Sequence, residues 1–528
     1  MNTKWKTLWL LSYLILATYG GATAEKKRVC IIGTGVAGIA AVRQVSLHPE
    51  DFETVAFERR SDVGGLWIYK EDTGVDEYGI PIRSNVYRYL RLFSHQKATC
   101  KNVSSRIYIT CADKAEKSTE EISRFLKLIN VAEIRKPLIP VFDAKNLNEH
   151  KIVDIVARTN GPKDLMVFSD YVEFHGENRS YVTHMDMLRY IQNYTDRFNL
   201  RQYIQFNTIV EKVSAVNDVP DTQWNIRTQN LKTNEYSEII CDAVMVCNGH
   251  YSKYYVPDIP GMETFPGEIF HSIFYREPQQ FTGKTVVIMG AGSSGTDIGL
   301  QVSWFAKKVY LSHRQTLGSE LPPNMEEVPA VVSVNGNELT LSDDQVIIAD
   351  AFVLCTGYEY DFPFLGDDSG IEVVEGKYVR PLYKHLISVE HPTMAFLGLQ
   401  FPSIPYPVAY VQSQYFVSVL QGKTKLPSRE EMLEDSVLPP GVELKKAHYM
   451  SLETIAYHDD LARLANLDIL DDKHLSRVFR YWIEDKKNDI MYFKDKDVIV
   501  FEGGRVEMHR GYYPLYGLHQ FEEDITIY

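Results

Sequence analysis

The chain has 528 residues, 45% hydrophobic and 24% charged, with a formal net charge of −14. That length supports two or three domains with cores of their own. The acidic balance, with no basic run and no aromatic–basic array, argues against nucleic acid and anionic membrane as partners, since both need a basic face.

The first residues read as a targeting segment. Lys4 and Lys6 precede an apolar run from Leu8 to Tyr19, and Ala22-Thr23-Ala24 supplies the small residues of a cleavage site. This layout predicts a secretory signal peptide over 1–24, with an uncleaved anchor as the competing reading. No later segment approaches the ~20 continuous apolar residues of a spanning helix. The expected location is therefore secreted, or the lumen of the secretory pathway, without a membrane anchor. Asn102, Asn178 and Asn193 sit in glycosylation sequons.

Lys26 opens a strand, a glycine turn and a helix, KRVCIIGTGVAGIAAVRQVSL, followed by a second strand, ETVAFE. In such a βαβ unit Gly33, Gly35 and Gly38, with Thr34, Val36 and Ala37 between them, bring backbone against a pyrophosphate at the helix N-terminus. Glu58 ends the second strand, where an acid would hold a ribose hydroxyl. A chance GxGxxG lacks the strand, the helix and the acid together, so a glycine turn with no ligand is the weaker reading.

RRSDVGGLWIY follows. Gly64 and Gly65 permit close backbone approach, Leu66 comes next, and Trp67 either shields a cofactor edge or is a buried aromatic anchor. Residues 92–157 show neither sustained helical nor strand periodicity, which is unusual inside a compact domain. They read as a surface insertion or as translated non-coding sequence; the flanks would join directly without them, which favours the second. THMDMLRYIQNYTDRF is an amphipathic helix. Asn248-Gly249-His250 marks the exit from the first unit, and the Pro- and Gly-rich stretch from Tyr255 to Gly267 is a connector.

A second fingerprint, Gly290-Ala291-Gly292-Ser293-Ser294-Gly295, follows the β-branched run TVVIM. The next strand, KKVYLSHRQ, carries no acid at its end. It offers Ser312, His313 and Arg314, which can hold a 2′-phosphate through a hydroxyl and a guanidinium and so favour NADPH over NADH. The alternative is that Arg314 is a solvated surface residue. A hairpin at Asn335-Gly336 follows, and ADAFVLCTGYEY leads back to the first unit. Between the fingerprints lies FxGxxxHxxxY, with Phe265, Gly267, His271 and Tyr275. His271 and Tyr275 are four apart and could share a helical face.

Of the six cysteines, Cys30, Cys247 and Cys355 lie in β-type runs and read as small core residues. Cys100 and Cys111 alone look free to pair, and no CxxC or CxxxxC redox pair exists. No metal-ligand spacing is present.

Two fingerprints separated by FxGxxxHxxxY resemble the flavin-containing monooxygenases, in which electrons pass from NADPH to FAD and then to oxygen. The resemblance implies an α/β fold of two dinucleotide-binding, Rossmann-like domains, with an NADPH domain (251–349) inserted into an FAD domain (25–250 and 350–528). It implies that Gly65, Leu66 and Trp67 wrap the flavin, and that Thr159 and Asn160 lie beside it. Asn160 is the candidate catalytic residue, helping to hold oxidised NADP. The linker around His271 orders the domains, Thr356-Gly357-Tyr358 matches an ATGY-like segment, and Gln412 contacts flavin. Tyr275 matches the N- and S-oxygenating branch; Baeyer–Villiger enzymes place Trp there. With a signal peptide and no apolar tail, the chain is most similar to the secreted insect enzymes that N-oxygenate plant alkaloids. The expected partners are a lipophilic amine or thioether and molecular oxygen. A homo-oligomer is left open, as is a redox-dead binding protein on the same scaffold.

Overall fold

KRVCII is buried at its last four positions and forms strand β1 (Lys27–Ile32), because an apolar β-branched run is stable only where both faces are covered. The glycine turn feeds helix α1 (Val36–Ser46), and the chain returns as β2 (Phe52–Glu58), parallel to β1. The computed structural model describes residues 25–82, 90–94, 107–110, 151–155, 158–175, 179–217, 221–469, 475–500 and 506–510. The expected signal peptide, Cys100, Cys111, Asn102 and Asn178 fall outside them.

The first sheet has seven strands. Met394–Phe396, Ala243–Val246, β1, β2 and Ile204–Phe206 run parallel in that order, and the hairpin of Leu382–Tyr383 and Ile387–Ser388 completes one edge. Helix Pro405–Leu420 packs on α1 and is buried along almost its whole length, so residues from late in the chain close the first domain's core.

The second sheet has five parallel strands: Glu268–His271, Ala351–Leu354, β3 (Thr285–Met289), β4 (Lys308–Ser312) and Met325–Val328. Helix α2 (Ser293–Ser303) joins β3 to β4. The expected boundary at 349 is too early. Ala351–Leu354 is buried at every position and lies between Glu268–His271 and β3, so the second unit runs through Leu354.

Two further expectations change. Glu268–His271 is a strand and Ser272–Phe274 a 3₁₀ turn, so His271 and Tyr275 do not share a helical face; parallel pairing with Ala351–Leu354 holds this segment extended. Within 92–157, backbone strands Ile107–Thr110 and Lys151–Ile155 pair with Leu90–Ser94 as an antiparallel sheet, although the sequence shows no sustained alternation there.

Cys30 is bonded to Cys241, which corrects the expectation that Cys30 is a lone core residue. The two are 211 residues apart in sequence and meet because Tyr236–Cys241 ends against the first sheet. Cys247 and Cys355 are reduced and burial pushes both thiols up; Cys247 is a core residue as expected, whereas Cys355 is partly buried against the second unit's core. Among the described residues no helix is long and apolar enough to cross a membrane.

Candidate functional site

The two fingerprints are built by the same contacts. Gly33 has φ +91°, and a Cβ on it would stand 2.8 Å from the Cys247 carbonyl oxygen; Gly290 has φ +106°, and its Cβ would stand 2.3 Å from that of Cys355. A Cβ on Gly38 would fall 1.8 Å from the Gly33 oxygen, and one on Gly295 1.8 Å from the Gly290 oxygen. Each helix therefore packs directly on its turn, and any side chain would push the two apart. Gly35 and Gly292 are the N-caps, neither helix has a side-chain cap, and neither has an acid in its first turn. Uncapped N–H groups and a positive dipole end are left facing outward, which fits a pyrophosphate at each end.

Among the described residues, a second glycine turn walls the first cradle and not the second. Gly64 and Gly65 both have positive φ, and a Cβ on Gly65 would lie 2.8 Å from Gly35 Cα. The short turn Gly65–Trp67 is thereby pressed against the fingerprint, with Leu66 half-buried and Trp67 packed on the main core. Glu58 is buried at the end of β2. One of its oxygens accepts from Thr34 N at 2.8 Å and Thr34 Oγ1 at 3.0 Å, and the other from Arg60 N at 2.9 Å. The carboxylate thus ties the glycine turn to the strand beside it. Val36 and Ala37 open α1 and pack on the main core.

In the second unit Ser312 departs from its expected role. It is 1% exposed; its hydroxyl donates to Pro329 O and accepts from Val331 N, both at 3.0 Å, so it cross-links the end of β4 to the next strand rather than facing a ligand. Arg314, two residues on, is exposed, with Glu443 as an electrostatic neighbour. His313 pairs with Glu327 at 2.8 Å.

The linker motif works as a joint. His271 is buried, its Nδ1 accepts from Ile273 N at 3.2 Å, and Nε2–H then donates to Gly357 O at 3.1 Å. Burial pushes the imidazole down to about 4, so near neutral pH it is uncharged and both nitrogens are engaged. That suits a structural joint and not a general base. Its ring stacks on Tyr254 at 5.1 Å and meets Tyr358 edge-on at 5.2 Å. Lys253–Tyr254 pairs antiparallel with Tyr358–Glu359, Gly357 has φ +86°, and Thr356 Oγ1 donates to Tyr255 O, so the two interdomain strands form one ribbon. Gly267 is required by close approach, since a Cβ there would sit 2.3 Å from Asp350 O, and Phe265 is buried nearby. Tyr275 is fully buried, its hydroxyl 3.1 Å from Gln301 Oε1.

Sequence reasoning missed Arg276, directly after the motif. Its guanidinium donates to the carbonyls of Lys70, Glu71 and Asp72 in the first domain and of Ile273 and Tyr275 in its own. The sequence offered only an arginine directly after the last motif position; its burial and its partners come from the fold.

Thr159 and Asn160 follow Arg158, which is bridged to Thr183 at the start of helix His184–Arg197. Thr159 Oγ1 and Asn160 Oδ1 are buried and have no hydrogen-bond partner among the described residues. Two adjacent unpaired polar atoms inside a protein call for a ligand or water. Gln412 is placed one layer back. It is fully buried, accepting from Gly398 N at 3.0 Å and donating to Gln400 Oε1 at 3.0 Å and Tyr457 OH at 2.8 Å, so both of its N–H donors are spent within the protein. It acts through Gly398, whose added Cβ would touch Ala37 Cβ at 3.6 Å.

A model of the family described as flavin-binding monooxygenase-like matches residues 26–105, 148–319 and 324–469. It omits 106–147, a narrower gap than the expected insertion. The chain is 30% identical over 425 residues to flavin-containing monooxygenase FMO GS-OX-like 1 of Arabidopsis thaliana, covering 79% of this chain and 76% of that protein. It is 28% identical over 480 residues to trimethylamine monooxygenase of Pelagibacter ubique, covering 89% and 92%. The fold is similar to the crystal structure of Tmm from a Pelagibacter strain, with a TM-score of 0.68 at 24% identity over 91% of this chain and 95% of that one. The chain belongs to the flavin-binding monooxygenase-like family, and it is an NADPH-dependent flavin monooxygenase with FAD and NADPH as its cofactors.

Proposed function

We propose that this chain oxygenates a soft nitrogen centre, most specifically the tertiary amine of a lipophilic plant alkaloid, to its N-oxide. The reading is carried by two uncapped glycine cradles, each a strand, a glycine turn and a helix, within one chain, together with an unpaired Asn160 amide oxygen. FAD is assigned to the first cradle, which alone has the Gly64–Gly65 wall, and NADPH to the second, where Arg314 is available to a 2′-phosphate and no acid ends β4.

When bound, the flavin supplies the redox chemistry and activates oxygen. The chain's own residues bind and orient. The helix ends would hold the pyrophosphates and Asn160 would offer an amide at the flavin side, while the joint of His271, Gly357 and Arg276 ties the two domains together. No protein nucleophile or metal is required. The buried aromatic and aliphatic core around Tyr406, Phe416 and Trp482 keeps water from this side of the domain.

Nitrogen as the target is supported by the similarity to a protein named trimethylamine monooxygenase, and by Tyr275 at the position where ketone-oxidising enzymes carry Trp. Sulfur is the second reading, since Tyr275 matches a branch that oxygenates nitrogen and sulfur alike. Secretion is supported by the charged, apolar and small-residue order of 1–24 and by the Cys30–Cys241 bond, since disulfides persist in oxidising compartments. An N-oxide is polar and crosses membranes poorly, so such an enzyme in a body fluid would protect its host from dietary alkaloids.

The test is NADPH consumption and product mass with a pyrrolizidine alkaloid, a simple thioether and a cyclic ketone in parallel. Preferred turnover of the alkaloid is expected; strong turnover of the ketone, or none of the alkaloid, overturns the substrate. Expression in a eukaryotic secretory host should release a chain beginning near Glu25 into the medium, and retention in the cell would overturn secretion.

A further inference from the structure

The family match ends at residue 469, yet helix α3 (Leu475–Asn488) and the segment after it touch both cradles' surroundings. Lys486 Nζ donates to Ser293 Oγ at 2.7 Å, at the first residue of α2. Lys494 Nζ lies 2.7 Å from Asp297 on the same helix and 3.3 Å from Arg158 O, two residues before Asn160. Arg158 reaches back to Asp495 at 2.6 Å, and Ile490 N donates to Ser319 Oγ at 3.1 Å. One segment therefore grips the second unit at α2 and at Ser319, and the first unit at Arg158.

We propose that Lys486 is a cofactor-binding residue, a cation delivered from outside the matched region to the pyrophosphate of the nicotinamide dinucleotide at the α2 N-terminus. Three observations converge on it. The end of α2 has no side-chain cap and no acid in its first turn, so its N–H groups favour an anion. The ammonium is held within hydrogen-bonding distance of the first residue of that end by a helix anchored through Val478, Phe479 and Trp482 in the main core. Asp297, the carboxylate one turn along α2, is already matched by Lys494, so Lys486 is not consumed in neutralising it. Burial also pushes Lys486 down to about 8, against the pull of Asp297 and with Lys494 adding to the fall, so an incoming phosphate would restore its full charge.

The inference rests on assigning NADPH to the second fingerprint. The experiment measures Kd for NADP+ on the oxidised, FAD-loaded enzyme by the change in flavin absorbance, with adenosine 2′-monophosphate as a competitor that has no pyrophosphate. Lys486→Ala should weaken NADP+ by roughly 10-fold, the loss of one charge-assisted bond. Lys486→Arg should recover most of it, and adenosine 2′-monophosphate should bind all three proteins alike. An unchanged NADP+ Kd, or an equal loss for the competitor, overturns the role of Lys486. Ser294→Asp puts a carboxylate at the same helix end and should abolish NADP+ binding while FAD is retained. If it does not, the assignment of the second fingerprint fails. If it does and Lys486→Ala is silent, the lysine inference alone fails. Loss of bound FAD in Lys486→Ala would make the residue structural and also overturn it.

Discussion

Trp482 Nε1 donates to the backbone carbonyl oxygen of Asn160 at 2.5 Å, so the candidate catalytic residue is held by a helix outside the family match. Trp482→Phe keeps most of the ring burial and removes the donor, at a cost of about 1 kcal/mol. Flavin content should be unchanged, and hydrogen peroxide released per NADPH should rise several-fold in a peroxidase-coupled assay. Asn160→Ala should raise it further while still accepting hydride. An unchanged peroxide yield in both would separate this segment from oxygen coupling.

Ser312 at the end of β4 and Arg314 two residues beyond it should give opposite results. Arg314→Ala should weaken NADPH by roughly 10-fold and leave NADH nearly unaffected, since it loses one charge-assisted phosphate contact at an exposed position. Ser312→Ala should leave both affinities alone but lower stability by about 1–3 kcal/mol, because Pro329 O and Val331 N lose a buried partner. Cofactor titrations and urea melts on the two variants distinguish them.

The Cys30–Cys241 bond closes a chain segment of 211 residues and should contribute about 2–4 kcal/mol. A reductant should shift the urea midpoint downward in the native protein and have no effect on the Cys30→Ala, Cys241→Ala double variant. A peptide pair linking the two cysteines in unreduced digests is the direct check. Equal midpoints with and without reductant would show the bond absent or without effect.

Burial pushes His250 and His271 down to about 4 and His448 to about 3. Between pH 6.5 and 4 the unfolded chain takes up protons at these sites and the folded chain does not, so stability falls as pH falls. Each such group contributes a slope of about 1.4 kcal/mol per pH unit. Urea melts from pH 8 to pH 5 should be flat above 7 with respect to these groups and steepen below 6.5. His271→Asn should reduce the slope by about one proton; an identical slope would mean His271 does not stay neutral in the fold.

The local parts of this protein were legible in its sequence. Both glycine fingerprints and the strands before them follow from short-range sterics and periodicity, and the structure has a strand, a glycine turn and a helix at each. What depended on partners distant in the chain was not legible. Ser312 looked like a phosphate ligand until Val331 consumed its hydroxyl, and Gln412 looked like a flavin contact until Gln400 and Tyr457 did the same. Cys30 looked like a lone core residue until the first sheet brought Cys241 beside it. A motif fixes backbone shape, whereas a polar side chain's role is set by whichever group reaches it first. Tertiary packing alone decides that, as it decides that Trp482 and Lys486 reach Asn160 and Ser293 across more than 190 residues of chain.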